Sequence, residues 1–86
     1  MRVKIVTFQC DEASQMKAIA ILIKKASAFN SRVWLTQGDR KANAKSLLGV
    51  MSLGIEHGVQ LDISAEGEDE KEAVETLAAY LENPTS

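Results

Sequence analysis

The chain is predicted to fold as an α+β open-faced sandwich in the order βαββαβα, with one four-stranded, mostly antiparallel sheet covered on a single face by three helices. Three observations predict this. Hydrophobic spacing switches repeatedly between period 2 and period 3.6 along the chain. A Gln37-Gly38-Asp39 turn joins two of the strand patterns directly, and no connection is long. The 86 residues allow one domain, 1–86, with a single modest core.

The elements follow in order. Val3 to Phe8 (V-K-I-V-T-F) is β-branched and aromatic, a strand with apolar residues on both faces. From Gln15 to Phe29 the spacing is helical, with Ile19, Leu22, Ile23, Ala26 and Phe29 inward. Lys17, Ile21, Lys24, Lys25 and Ala28 fall mostly on the outer side, Ser14 serves as N-cap, and Asn30-Ser31 ends the helix. Val33 and Leu35 then alternate with Trp34 and Thr36, which leaves Trp34 either on the open sheet face or at a buried edge. After the turn, Arg40 to Ala44 returns as a short strand with Ala42 and Ala44 on one side.

A short helix, roughly Leu47 to Leu53, is closed by Gly54, and Gly58 marks the next turn. Val59, Leu61, Ile63 and Ala65 alternate strictly with Gln60, Asp62, Ser64 and Glu66, the clearest strand in the chain. The last helix begins with Asp69 as N-cap and Glu72 three residues on, which is capping-box chemistry. Ala73, Val74, Leu77 and Leu81 form its buried stripe with Tyr80 beside it, and Asn83-Pro84 stops it before a fraying tail.

Composition excludes several function classes. Apolar content of 45% and charged content of 26% are those of an ordinary globular protein, and a net charge of -2 without a basic block argues against direct nucleic-acid binding. The apolar run Ala18 to Ile23 is far short of the roughly 20 residues of a membrane span. No signal peptide opens the chain, and its one cysteine, Cys10, cannot pair internally, so the expected location is cytoplasmic. A single His and a single Cys give no metal site, and no glycine spacing suits a nucleotide, so neither metal nor cofactor is expected. His57, in E-H-G, reads as a solvated turn residue. The acidic pairs at Asp11-Glu12 and across Glu66 to Glu72 suit capping and solubility rather than catalysis. The chain is not expected to be an enzyme.

Ser46 stands apart. It lies directly ahead of Leu47, Leu48, Val50, Met51 and Leu53, too many apolar residues for one stripe, so part of this set should face water or a partner. The stretch N-A-K-S-L-L-G-V-M-S-L-G, Asn43 to Gly54, followed by I-S-A-E-G-E-D-E-K-E-A-V-E-T-L, resembles the HPr family of the bacterial phosphoenolpyruvate-dependent sugar phosphotransferase system. The resemblance spans essentially the whole chain and is strongest from Asn43 onward. It implies the open-faced βαββαβα fold already read from the pattern.

The family carries a G-[IL]-H-A-R-P-A signature at the start of its first helix, whose histidine is phosphorylated. Here the stretch is A-S-Q-M-K-A-I, Ala13 to Ile19, with Gln15 at the histidine position, Lys17 for the arginine and Ala18 for the proline. An amide cannot form a phosphoramidate, so the resemblance implies that this chain is not a phosphocarrier. The family's regulatory serine corresponds to Ser46. Together, Gln15 and Ser46 are similar to the arrangement of catabolite-repression HPr-like proteins, although the rest of the first-helix signature has diverged. The resemblance implies phosphorylation of Ser46 by HPr kinase/phosphorylase and docking on a LacI-type catabolite-control repressor. Leu47, Leu48 and Met51, with Lys17, Ala20, Ile21 and Lys24 of the first helix, would make that contact. An alternative is an unphosphorylated binding module that docks on phosphotransferase-system or metabolic enzymes. A homodimer by strand exchange is open to an N-terminal edge strand, though nothing in the sequence requires it.

Overall fold

The computed structural model describes residues 1–10 and 12–83. The expected stop at Pro84, the tail beyond it and the Asp11 member of the first acidic pair lie outside the described residues. The elements are β1 (Arg2–Thr7), a 3₁₀ turn (Glu12–Ser14), α1 (Gln15–Ser27), β2 (Arg32–Gln37), β3 (Arg40–Asn43), α2 (Leu47–Ser52), β4 (Gln60–Glu66) and α3 (Glu70–Glu82). They form one antiparallel sheet in the order β1-β4-β2-β3, which puts β1 at an edge as the N-terminal position suggested.

Register decides which residues enter the core. The row Lys4, Ile63, Leu35 and Ala42 faces the helices, and in it Ile63 and Leu35 are fully buried. One residue along, the row Val3, Ser64, Trp34 and Asn43 faces the open side. Trp34 is therefore on the open face of an interior strand and half-buried, with the Lys41 ammonium 4.7 Å from its ring centre. Val3 and Ile5 are also on the open face and remain exposed, as expected for a strand with apolar residues on both sides.

Helix α1 buries Ala18, Ile19, Leu22 and Ala26, while Ile23 and Phe29 are only half-buried. Ile21, expected mostly outward, is half-buried and packs against the core. The Ser14 hydroxyl does not cap α1, contrary to expectation; the preceding 3₁₀ turn gives it dihedrals unsuited to capping. Helix α3 buries Ala73, Val74, Leu77, Ala78, Tyr80 and Leu81, so Tyr80 lies within the buried face rather than beside it.

Asp69 also departs from its expected role. It occupies the N-cap position of α3, but its side chain does not cap that helix. One carboxylate oxygen accepts the Asn30 N–H at 2.9 Å, and the other accepts the Ser31 N–H at 2.9 Å and the Ser31 hydroxyl. The Asp69 N–H returns a bond to the Ser31 hydroxyl oxygen at 3.2 Å. Glu70, not Glu72, closes the turn by accepting the Gly67 N–H at 3.1 Å. The loop after α1 and the start of α3 are thereby clamped together.

The clamp has a pH signature. The Ser31 hydroxyl, followed by the Asn30 N–H, holds the Asp69 carboxyl below the usual carboxylate range. The Gly67 N–H does the same for Glu70, aided by the Met1 ammonium. Both groups have folded-state pKa values depressed relative to the unfolded chain. Their stabilising contribution is complete above the unfolded value of about 4 and is lost as pH falls through the folded value. Stability followed by circular dichroism should therefore fall as pH drops below about 4. The Asp69→Asn variant should be less stable at neutral pH and show a shallower acid fall; a curve parallel to the parent's would contradict this role.

Candidate functional site

Ser46 sits where β3 has ended and α2 begins. Its backbone is extended (φ -106°, ψ 118°), its N–H donates to the Asn43 carbonyl at 3.0 Å, and its carbonyl accepts the Val50 N–H at 3.0 Å. The Ser46 hydroxyl oxygen accepts the Gly49 N–H at 3.2 Å, a true N-cap bond. Ser46 is half-buried, and its backbone is held on both sides.

Helix α2 is short, and its apolar residues divide as the crowding at Ser46 suggested. Val50 is fully buried, and Leu53 and Ile55 beyond the helix are nearly so. Leu47, Leu48 and Met51 stay in solvent, with Leu48 81% exposed. Burying Leu48 against a partner would remove most of its surface from water, a gain of about 1.5–3 kcal/mol.

Helix α1 packs against α2 and brings further residues to this side. Lys17, Ala20 and Lys24 are exposed, whereas Ile21 offers only a half-buried edge. Met16, expected with Lys17 and Ile21 on the first-helix face of the binding-module alternative, is 59% exposed. Helix α1 carries no acidic residue, while α3 carries Glu70, Glu72, Glu75 and Glu82 against a single Lys71. Helix α1 is therefore the more basic of the two.

Gln15 is the first residue of α1 and half-buried. Its side-chain amide donates to the Ile55 carbonyl at 3.3 Å. His57 is exposed as expected, yet it is anchored: Nδ1 accepts the Cys10 N–H at 3.1 Å. That bond engages the Nδ1 lone pair and leaves the ring proton on Nε2, so neither nitrogen presents a free lone pair in this arrangement. Among the described residues, no group of three or more His, Cys, Asp or Glu side chains could hold a metal ion. No helix is long and apolar enough to cross a membrane, again among the described residues.

Residues 3–83 match the PTS-HPr family, described as the PTS HPr component phosphorylation site. The chain belongs to the PTS HPr family. The HPr-like protein Crh of Bacillus subtilis (strain 168) is 43% identical over 68 residues, 79% of this chain and 80% of that protein. A crystal structure of HPr from Thermoanaerobacter tengcongensis has a TM-score of 0.90 at 34% identity, covering 95% of this chain and 92% of that one. A crystal structure of B. subtilis Crh, described as a swapping-domain dimer, has a TM-score of 0.72 at 37% identity and covers 88% of this chain and 83% of that one. The HPr-like assignment and the open-faced sandwich read from the sequence thus agree with both sequence and structural relatives. Similarity to Crh supports an HPr-like regulatory protein.

Proposed function

We propose that this HPr-like protein is a non-catalytic regulator phosphorylated on Ser46, whose phosphorylated form acts as corepressor of a LacI-type catabolite-control repressor. The observation that carries the reading is Ser46 itself, a half-buried serine at the N-cap of α2, beside the exposed Leu47, Leu48 and Met51. Phosphorylation would add about -1.5 to -2 charges there. Basic residues of the repressor could pair that charge, each charge-assisted bond contributing about 1.5–3 kcal/mol. Lys17, Ala20, Lys24 and the accessible edge of Ile21 supply the α1 side of the contact.

Gln15 supports the other half of the reading. It stands at the family's phosphohistidine position, its amide is bonded to a carbonyl, and the one imidazole of the chain has its Nδ1 engaged. The chain is therefore proposed not to relay phosphate. The upstream partner is HPr kinase/phosphorylase, the location is the cytoplasm, and neither DNA nor membrane is contacted directly. The edge position of β1, with Val3 and Ile5 exposed, admits a homodimer of the kind described for Crh.

The test is repressor binding by the purified protein after treatment with HPr kinase/phosphorylase and ATP. Binding should require the kinase treatment and be lost in Ser46→Ala. Equal binding by treated and untreated protein would overturn the reading. The exposed Met16 favours one second reading, an unphosphorylated module docking on phosphotransferase-system or metabolic enzymes through α1. Kinase-independent capture of such an enzyme, weakened by Met16→Asp, would support it.

A further inference from the structure

Helix α2 spans six residues, too few to hold its orientation by its own backbone bonds. It is tied to α1 at both ends instead. Ahead of it, the Lys45 ammonium donates to the Phe29 carbonyl at 2.8 Å, just past the end of α1. Behind it, the Gln15 amide at the start of α1 donates to the Ile55 carbonyl at 3.3 Å. The seam continues with the Cys10 N–H on His57 Nδ1 at 3.1 Å, the Gly58 N–H on the Phe8 carbonyl at 2.8 Å and the Phe8 N–H on the Val59 carbonyl at 2.9 Å.

Glutamine and histidine at a surface usually spend their polar atoms on water. Here each spends one on a backbone group, 40 residues away in sequence for Gln15 and 47 for His57. Both bonds join the segment following α2 to the start of α1 or the segment leading into it. We infer that Gln15 and His57 are positioning residues for the docking surface. They fix the end of α2 against the start of α1, so that Met16 and Lys17 on one helix and Leu48 and Met51 on the other are presented as one preformed face. The inference rests on the docking reading above and extends it, because it gives the position that does not relay phosphate a task of its own.

The physical consequence is a population effect. If α2 spends only a fraction of its time in the binding orientation, apparent affinity falls by that fraction. Removing the two bonds loosens the end of α2, which then rests on the buried Val50, Leu53 and Ile55, while the sheet and α3 keep their own contacts. Local opening of this kind is read by amide exchange.

The test compares the parent with Gln15→Ala/His57→Ala, using amide exchange and the kinetics of phosphorylation by HPr kinase/phosphorylase with ATP. Exchange of the Val50 and Leu53 amides should rise about tenfold, while the amides of β4 stay within about twofold of the parent. KM for the protein substrate should rise about fivefold with kcat nearly constant, because docking and not chemistry has been loosened. His57→Asn, which can place a carbonyl oxygen near the position of Nδ1, should recover most of the His57 contribution. Unchanged exchange at Val50 and Leu53 would overturn the inference, as would a rise shared equally by β4, which would signify general destabilisation. If the parent itself takes no phosphate, the functional reading fails, and the exchange comparison alone decides the brace.

Discussion

Replacing Gly67 by alanine should destabilise the protein by about 3 kcal/mol, the largest single-residue effect expected outside the central core. Gly67 has a φ of +149°, which L side chains rarely adopt, and an added Cβ would lie 2.8 Å from both the Cα and the hydroxyl oxygen of Ser31. The nearest neighbour is backbone and cannot swing aside. Moving Ser31 would also disturb the bonds that its N–H and hydroxyl make to Asp69. One added methyl therefore strains the local backbone and opens the clamp between the α1–β2 loop and α3. A domain of this size is stable by about 4–13 kcal/mol in total, so the change should be plain in a urea titration. A midpoint within error of the parent's would show that the clamp can shift at little cost.

Leu48→Asp should have the opposite profile, large in binding and negligible in stability. Leu48 is 81% exposed, so the folded state gains little from it, and stability should change by no more than about 0.5 kcal/mol. In the proposed complex it is buried beside the phosphate of Ser46. The substitution removes apolar contact and places a carboxylate next to a phosphate, two losses of the same sign. Repressor affinity of the phosphorylated protein should fall about 100-fold, which corresponds to roughly 2.8 kcal/mol. Isothermal titration calorimetry on the phosphorylated parent and variant measures it directly. Full affinity in the variant would mean that the partner docks elsewhere on the molecule.

The fold was largely legible because its elements announce themselves through local chemistry. The alternation from Leu61 to Ala65 places every second residue in a core that leaves all three apolar members fully buried. The split among apolar residues after Ser46 was also legible, since six helical residues cannot bury that many side chains on one face. What escaped depended on partners distant in sequence. Asp69 fits a capping box by local spacing, but Ser31, 38 residues away, supplies better donors for its carboxylate. His57 looks like any turn histidine until folding brings the Cys10 N–H to its ring. Gln15 carries no sign in its own neighbourhood that an unpaired carbonyl will arrive from Ile55. No period or motif encodes such meetings; the loop after α1 meets the start of α3, and the chain around the start of α1 meets the loop after α2.

Intact-mass spectrometry after incubation with ATP and HPr kinase/phosphorylase shows whether Ser46 is a phosphorylated switch. The predicted result is one added phosphate on the parent and none on Ser46→Ala. No added phosphate on the parent, or an equal gain on the alanine variant, would contradict the account and leave Ser46 as the N-cap of α2.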